Sequence, residues 1–528
     1  MPCTCRMGRR QLLELAGLVA ATPLLWRDPA VAAEPEVAPR RAPSAAGPRF
    51  RAVELRVMTL TETSAVLTWY TCDPLRVDAH GQPAPVPAPT RVRIGSSPLR
   101  LRDAVVDETP TAYHHAVVTG LEPGRRYAFE ASSNGVVALE APDQLLGLLT
   151  SVGPGWFRTP QPPPGEHVLT IALLNDLHIG ELSAGNLGGL GSGFPVDPSN
   201  PYWRFTSRAA VAEATAAGAQ LALVAGDLSA EAGQRDLGEA VATLNGFGAQ
   251  GTGWLAVRGN HDRPHPPGPD VDACTRRPDG SHDCYADAFA PGRPTWLSTD
   301  LHGLHVVGLD TYDHAGTGAD AGSLGAEQFA WLAADLAAHR DQPTVVFGHH
   351  PVTLESSLTT VGVQDLAPAD ARRLEGLYGR TPGVFLHHSG HTHRNRRTAA
   401  PAAPRVTFAE VAAVKEFPTG YALLRLHTGG FALNHYPLAD PQCREWAQRT
   451  RYELLGAFGP YAVGLPGDRN MVVKRDLSGL RRETAARSGW ALGGGAAVTA
   501  ASGAAAAAVR RRARARSAGD APPATAPG

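Results

Sequence analysis

Six short, mostly apolar runs divide the middle of this chain: Leu169 to Leu174, Leu221 to Ala225, Trp254 to Val257, Leu304 to Leu309, Thr344 to Phe347 and Val384 to Leu386. Runs this short and this apolar read as strands buried on both faces. Helical stretches fit between several of them, for example Thr206 to Ala217 and Ala326 to Ala338. The alternation predicts an α/β domain with layered sheets. Folds of this kind gather their ligands beyond the carboxyl ends of the strands, so those ends are the place to look for chemistry.

Five of the six runs end on a polar motif. Asn175-Asp176-Leu177-His178 closes the first, Gly226-Asp227 the second and Gly259-Asn260-His261-Asp262 the third. Gly348-His349-His350-Pro351 and Gly390-His391-Thr392-His393 follow two more. A lone Gly-Asp is usually a turn, and a lone histidine near a strand end is usually a structural group. Five such motifs converging on one place require another explanation. Their donors are carboxylate, amide and imidazole, with no cysteine, which suits Mn, Fe or Zn and excludes a closed thiolate cage. A phosphate ester needs its charge neutralised and a nucleophile potent near neutral pH; two divalent ions about 4 Å apart supply both.

Through these motifs the segment 168–440 resembles the calcineurin-like metallophosphoesterase superfamily. The resemblance implies a layered two-sheet domain that hydrolyses phosphate mono- or diesters by means of a metal-bridging hydroxide. Carried over position by position, Asp176, His178 and His393 would hold one metal, Asn260, His349 and His391 the second, and Asp227 would bridge them. His349 is preferred to His350 because it stands two residues before Pro351, as in the family pattern. His261 would be a histidine outside the ligand set that stabilises or protonates the leaving oxygen, with Asp262 orienting it. A β-sandwich ahead of such a domain is also similar to the arrangement of purple acid phosphatases. That subfamily has glycine and an iron-binding tyrosine where this chain has His178 and Ala230, so the expected site is a colourless one holding two divalent ions of Mn, Fe or Zn.

The sandwich is expected over residues 50–160, where β-rich runs at Ala52 to Leu60, Ala65 to Tyr70, Arg91 to Ile94, His115 to Val118 and Tyr127 to Ala131 alternate with turns. Leu121-Glu122-Pro123-Gly124 followed by Tyr127 resembles the corner of fibronectin type III domains, with Trp69 as the core tryptophan. Pro- and Ala-rich residues 34–49 read as a linker, and residues 441–480 as a carboxyl-terminal extension. Residues 1–33 read as an export signal similar to the twin-arginine type: Arg9-Arg10, an apolar run from Leu12 to Trp26, then small residues at Ala30 to Ala33. At the other end, 481–528 is an Ala- and Arg-rich tail. Its uncharged stretch Trp490 to Val509, followed by Arg510, Arg511 and Arg512, reads as a membrane anchor or as a low-complexity tail. These features place the protein outside the cytoplasm, secreted or held at the cell envelope.

Outside the signal four cysteines remain, Cys72, Cys274, Cys284 and Cys443, which allow three pairings. Cys274 and Cys284 flank a polar loop and are expected to join in an oxidising compartment; free buried thiols are the alternative. The 49 Lys and Arg against 50 Asp and Glu leave a net charge of -1, so no global field draws the chain to a polynucleotide and no specific nucleic-acid partner is expected. Two rival readings stand beside the phosphoesterase: a non-enzymatic cell-envelope binding protein with a structural metal site, and a nucleotidase or nuclease. His387, His388, His302, His305 and His314 are read as structural. Nothing in the sequence sets an oligomeric state.

Overall fold

The computed structural model describes residues 50–142 other than 80, 152–185, 194–312, 320–360, 363, 365–456 and 458–481. The expected export signal 1–33, the expected linker 34–49, His314 and the expected anchor Trp490 to Val509 lie outside the described residues. Among the described residues no helix is long and apolar enough to cross a membrane.

The amino-terminal part is all β. One sheet is built on β2 (Ser64–Val77), which pairs antiparallel with β1 (Arg51–Leu60), β3 (Pro83–Pro85) and β6 (Tyr113–Thr119). The second runs in the order β5 (Arg102–Thr111), β4 (Ala88–Gly95), β7 (Arg126–Ser133), β10 (Trp156–Arg158), β9 (Val152–Gly153), with β8 (Val136–Val137) on β7. Inward-facing Leu55, Val57, Leu67, Trp69, Val92, Phe129 and Phe157 form the core between them. The Trp69 ring stacks on His114 with centroids 4.4 Å apart, and its Nε1 donates to Ser133 Oγ at 3.1 Å. The Tyr127 hydroxyl accepts the Glu122 amide at 2.8 Å, which closes the expected corner.

The second part is a layered α/β domain. Its first sheet runs β15 (Trp254–Val257), β14 (Leu221–Ala225), β11 (His167–Leu174), β22 (Tyr421–His427), β23 (Gly430–Tyr436), β24 (Asn470–Lys474), with a small hairpin of β12 (Ser183–Ala184) and β13 (Phe194–Pro195) beside it. The second runs β16 (Leu297–Leu301), β17 (Leu304–Leu309), β18 (Thr344–Gly348), β19 (Val384–Ser389), β21 (Thr407–Glu410), β20 (Arg396–Thr398). Strands β11, β14 and β15 are parallel to one another, as are β17, β18, β19 and β21. Alternate residues explain the apolar runs. Leu169, Ile171 and Leu173 face Val306, Val345 and Phe347 of the other sheet. Ala172 and Leu174 face outward against the helices Tyr202–Ala216 and Gln234–Leu244, so both faces of each strand are buried. Likewise Val307 and Leu309 meet the helices Ala326–Ala338 and Pro368–Gly379.

The chain beyond residue 440 has two structural tasks. β24 pairs with β23 and completes the edge of the first sheet. The helix Pro441–Thr450 wedges between the two parts, where Arg444 Nη1 donates to the Tyr113 carbonyl at 2.6 Å and Trp446 stacks on Tyr202. Cys274 and Cys284 are disulfide-bonded, while Cys72 and Cys443 are free and buried.

Candidate metal centre

All five motifs meet at the carboxyl ends of β11, β14, β15, β18 and β19. The turns that bring them together are tight. Asp176, His178, Asp227, His391 and His393 all have positive φ, between 46° and 68°, a region that non-glycine residues visit rarely and that clusters at functional sites. The turns are laced to each other through backbone bonds: Asp176 N donates to Gly226 O, His178 N to Asp227 O and Gly390 N to His349 O, each at 3.0 Å. Glycine is required at 259, where a Cβ would stand 2.1 Å from Asp227 Oδ1 and 2.2 Å from its amide nitrogen.

Each carboxylate has one oxygen fixed by the backbone and one left to face imidazoles. Asp176 Oδ2 accepts His391 N at 3.1 Å, while Oδ1 lies 3.4 Å from His393 Nε2 and 3.9 Å from His178 Nε2. Asp227 Oδ1 accepts His261 N at 2.9 Å, while Oδ2 lies 3.4 Å from His178 Nε2 and 3.3 Å from His349 Nε2. The second group closes with His349 Nε2 lying 2.9 Å from Asn260 Oδ1 and 3.1 Å from His391 Nδ1. Two sets of buried donors result: Asp176, His178, Asp227 and His393, and Asp227, His349 and His391. Asp227 belongs to both.

The donor set fits divalent ions. Asp176 Oδ1 and both ring nitrogens of His178 are buried without a hydrogen-bond partner, which is uncommon for atoms this deep. Two ligands each about 2.1 Å from one ion, at tetrahedral or octahedral angles, stand roughly 3.0–3.4 Å apart; most pairs here lie at 2.9 to 3.4 Å, with His178 Nε2 standing back from Asp176 Oδ1 at 3.9 Å. Orientation comes from a surrounding layer of acceptors. His349 Nδ1 donates to the Ala225 carbonyl at 2.8 Å and His393 Nδ1 to Glu416 Oε1 at 2.6 Å, so both rings turn Nε2 inward. The electrostatics agree. Burial opposes charge on His349 and His393, yet Asp227 and Asp176 outweigh it and hold the two imidazoles up at about 9 and about 10. Both carboxylates, despite the burial penalty, are held well below their usual range by the same histidines. The cluster is arranged to bind positive charge.

His261 is half-buried beside the His178 ring, with centroids 4.6 Å apart. Its Nδ1 donates to the Ala230 carbonyl at 2.8 Å, leaving Nε2 as the atom that can exchange a proton with a ligand. Asp262 has a different task from the one expected of it. Its carboxylate accepts Leu228 N, Ser229 N, Ser229 Oγ and Gly259 N at 2.8 to 3.1 Å, and so pins the Asp227 turn to the Asn260 turn. The orientation of His261 comes from Ala230. His350 belongs to neither donor set: its ring packs 4.5 Å from that of His391, and its nitrogens are taken up by Thr311 Oγ1 at 2.8 Å and the Asp320 carbonyl at 3.2 Å. His387 and His388 are buried, bonded to the Tyr378 hydroxyl and the Leu174 carbonyl.

Sequence reasoning missed three groups around the centre. Glu416 carries His393. Lys415, one of only two lysines in the chain, is buried and donates to both oxygens of Glu181 at 2.9 Å. Asp320 accepts Asn260 Nδ2 at 3.1 Å. The rarity of lysine is a usable signal for Lys415, whereas Glu416 and Asp320 follow no motif spacing.

Residues 169–395, which include all seven metal-ligand candidates, match the family model described as calcineurin-like phosphoesterase. No curated protein matches the chain. Similar solved structures include a purple acid phosphatase from yellow lupin (Lupinus luteus) seeds, at 16% identity over 74% of this chain and 73% of that one, TM-score 0.34. A dimetal phosphatase from Danio rerio is 14% identical over 52% of this chain and 98% of its own, TM-score 0.40. PhoD is 13% identical over 86% and 95%, TM-score 0.35.

Proposed function

Given that the chain carries a calcineurin-like phosphoesterase domain and is a metal-dependent phosphoric ester hydrolase, we propose that it works with two divalent ions bridged by Asp227. The observation that carries this reading is the position of Asp227 Oδ2, 3.4 Å from His178 Nε2 on one side and 3.3 Å from His349 Nε2 on the other. In this reading Asp176, His178 and His393 hold the first ion, and Asn260, His349 and His391 the second. When bound, the ions supply an activated water and neutralise charge on the phosphate. The chain's own part is geometric and protonic: the laced turns fix the ligands before substrate arrives, and His261 Nε2 faces the space where a leaving oxygen would need a proton.

The substrate is a phosphate mono- or diester, and one experiment separates the two. Protein stripped of metal and reloaded with Mn is assayed against a chromogenic monoester and a chromogenic diester, beside Asp227→Asn. Metal-dependent turnover lost in the variant is the expected result, with the faster ester naming the class. Two bound ions per chain without turnover on either ester would move the assignment to the binding-protein reading. We also propose export of the mature chain, supported by Arg9-Arg10 ahead of an apolar run and by the Cys274–Cys284 disulfide. The intact amino terminus found on cytoplasmic protein would refute it.

A further inference from the structure

A second constellation of histidine and carboxylate lies at the opposite ends of the strands from the catalytic centre. Asp300 is on β16, His305 near the start of β17, and Asp335 and His339 at the carboxyl end of the helix Ala326–Ala338. Ligand atoms of Asp300, His305 and His339 all lie within 4.8 Å of one another.

The hydrogen bonds fix the ring protons. His305 Nε2 donates to Asp335 Oδ2 at 2.8 Å, and Asp335 Oδ1 is in turn held by Ser298 Oγ at 3.0 Å. His339 Nδ1 donates to the Asp335 carbonyl at 2.8 Å. Both rings are therefore backed by one residue. Each presents its other nitrogen, Nδ1 of His305 and Nε2 of His339, to the same carboxylate of Asp300. The catalytic centre uses the same device, with Ala225 and Glu416 behind His349 and His393.

Two nitrogens directed at one carboxylate can share it through a proton or through a metal ion, and Asp300 Oδ1 also accepts Gln342 Nε2 at 2.8 Å. A proton on His305 Nδ1 serves one oxygen of Asp300, at 2.9 Å. It leaves the other facing His339 Nε2 at 3.8 Å, too far for a hydrogen bond and a few tenths of an ångström wider than two ligands on one ion, a gap that a small shift of the exposed side chains closes. His305 is buried, but the Asp300 and His339 side chains are 54% and 27% exposed, so an ion and a completing water can reach them.

We propose that Asp300, His305 and His339 form a third metal site, for a zinc-type divalent cation, that ties the β16–β17 hairpin to the helix Ala326–Ala338. Two imidazoles, one carboxylate and a water make up a common zinc ligand set. The ion takes the place of the proton on His305 Nδ1. The two rings stack with centroids 3.9 Å apart, so binding tilts the partly exposed His339 ring within its stack while its Nδ1 stays on the Asp335 carbonyl.

The test compares full-length wild type with His339→Gln and Asp300→Asn, each equilibrated with the same buffered free zinc and counted by plasma mass spectrometry. The wild type is expected to hold one zinc more per chain than either variant, with phosphoesterase activity unchanged. Zinc should also raise the melting temperature of metal-stripped wild type by more than that of either variant. The difference between proteins is the readout, so the result does not depend on how many ions the catalytic centre takes. Equal zinc in all three proteins would overturn the proposal.

Discussion

His261 and Asp262 are neighbours in the sequence that do separate work. The Asp262 carboxylate, pushed up to about 6 by burial and by Asp227, is satisfied by four donors of the surrounding turns. Asp262→Asn turns an amide group onto those donors and should cost about 2–4 kcal/mol of stability, with turnover largely kept once metal is saturating. His261→Gln should leave metal content and stability intact and lower kcat by about 10²- to 10³-fold. Denaturant titration beside saturation kinetics separates the two; an equal kcat loss in both variants would restore Asp262 as the residue that orients His261. A third change tests the packing of the turns. Gly259→Ala places a methyl group against Asp227 Oδ1 and should cost about 1–3 kcal/mol while displacing the bridging carboxylate. Its activity should fall with the metal content, read as ions per chain after dialysis.

At the scale of elements, the buried strands were legible because each carries apolar residues toward both layers, and their carboxyl ends gave the site motifs. Strands without that signal were not. β5, Arg102–Thr111, is exposed along nearly its whole length and offers no apolar face to read. β24 is short and lies beyond the apparent end of the domain, so its pairing with β23 follows from tertiary context alone. Glu416 was hidden for the same reason: its contact with His393 depends on how the loop after β21 folds back. Within the sandwich, β6 buries His114 beside Trp69, with ring nitrogens bonded to the Thr90 and Thr71 hydroxyls at 2.8 and 3.1 Å. Burial, aided by the charge of Arg444, lowers its pKa from 6.5 to about 3. The unfolded chain therefore binds a proton below about pH 6.5 that the folded one refuses. The His114 contribution is complete above that pH and is lost as pH falls toward about 3, with a slope of up to about 1.4 kcal/mol per pH unit. His114→Gln should flatten part of the pH dependence of urea unfolding between pH values of about 6.5 and 4; an unchanged slope would mean the histidine is accessible to protons in the fold.

In the whole molecule the sandwich and the catalytic domain are joined by polar bonds as well as by the helix Pro441–Thr450. Asn434 Nδ2 donates to the Leu60 carbonyl at 2.9 Å, Thr59 Oγ1 to the His435 carbonyl at 2.6 Å, and Arg425 pairs with both oxygens of Glu62 at 2.6 and 2.8 Å. Groups buried at such a joint lose their partners if one domain unfolds alone, so calorimetry of the metal-free protein should give one transition. Two resolved transitions would mean the domains are thermally independent. Asp227 is the one residue shared by the two donor sets of the catalytic centre. Anomalous diffraction at the metal edge, from crystals of Mn-loaded protein, tests this most directly. The prediction is two peaks about 3.5–4 Å apart on either side of the Asp227 carboxylate; a single peak, or a second ion out of reach of Asp227, would contradict it.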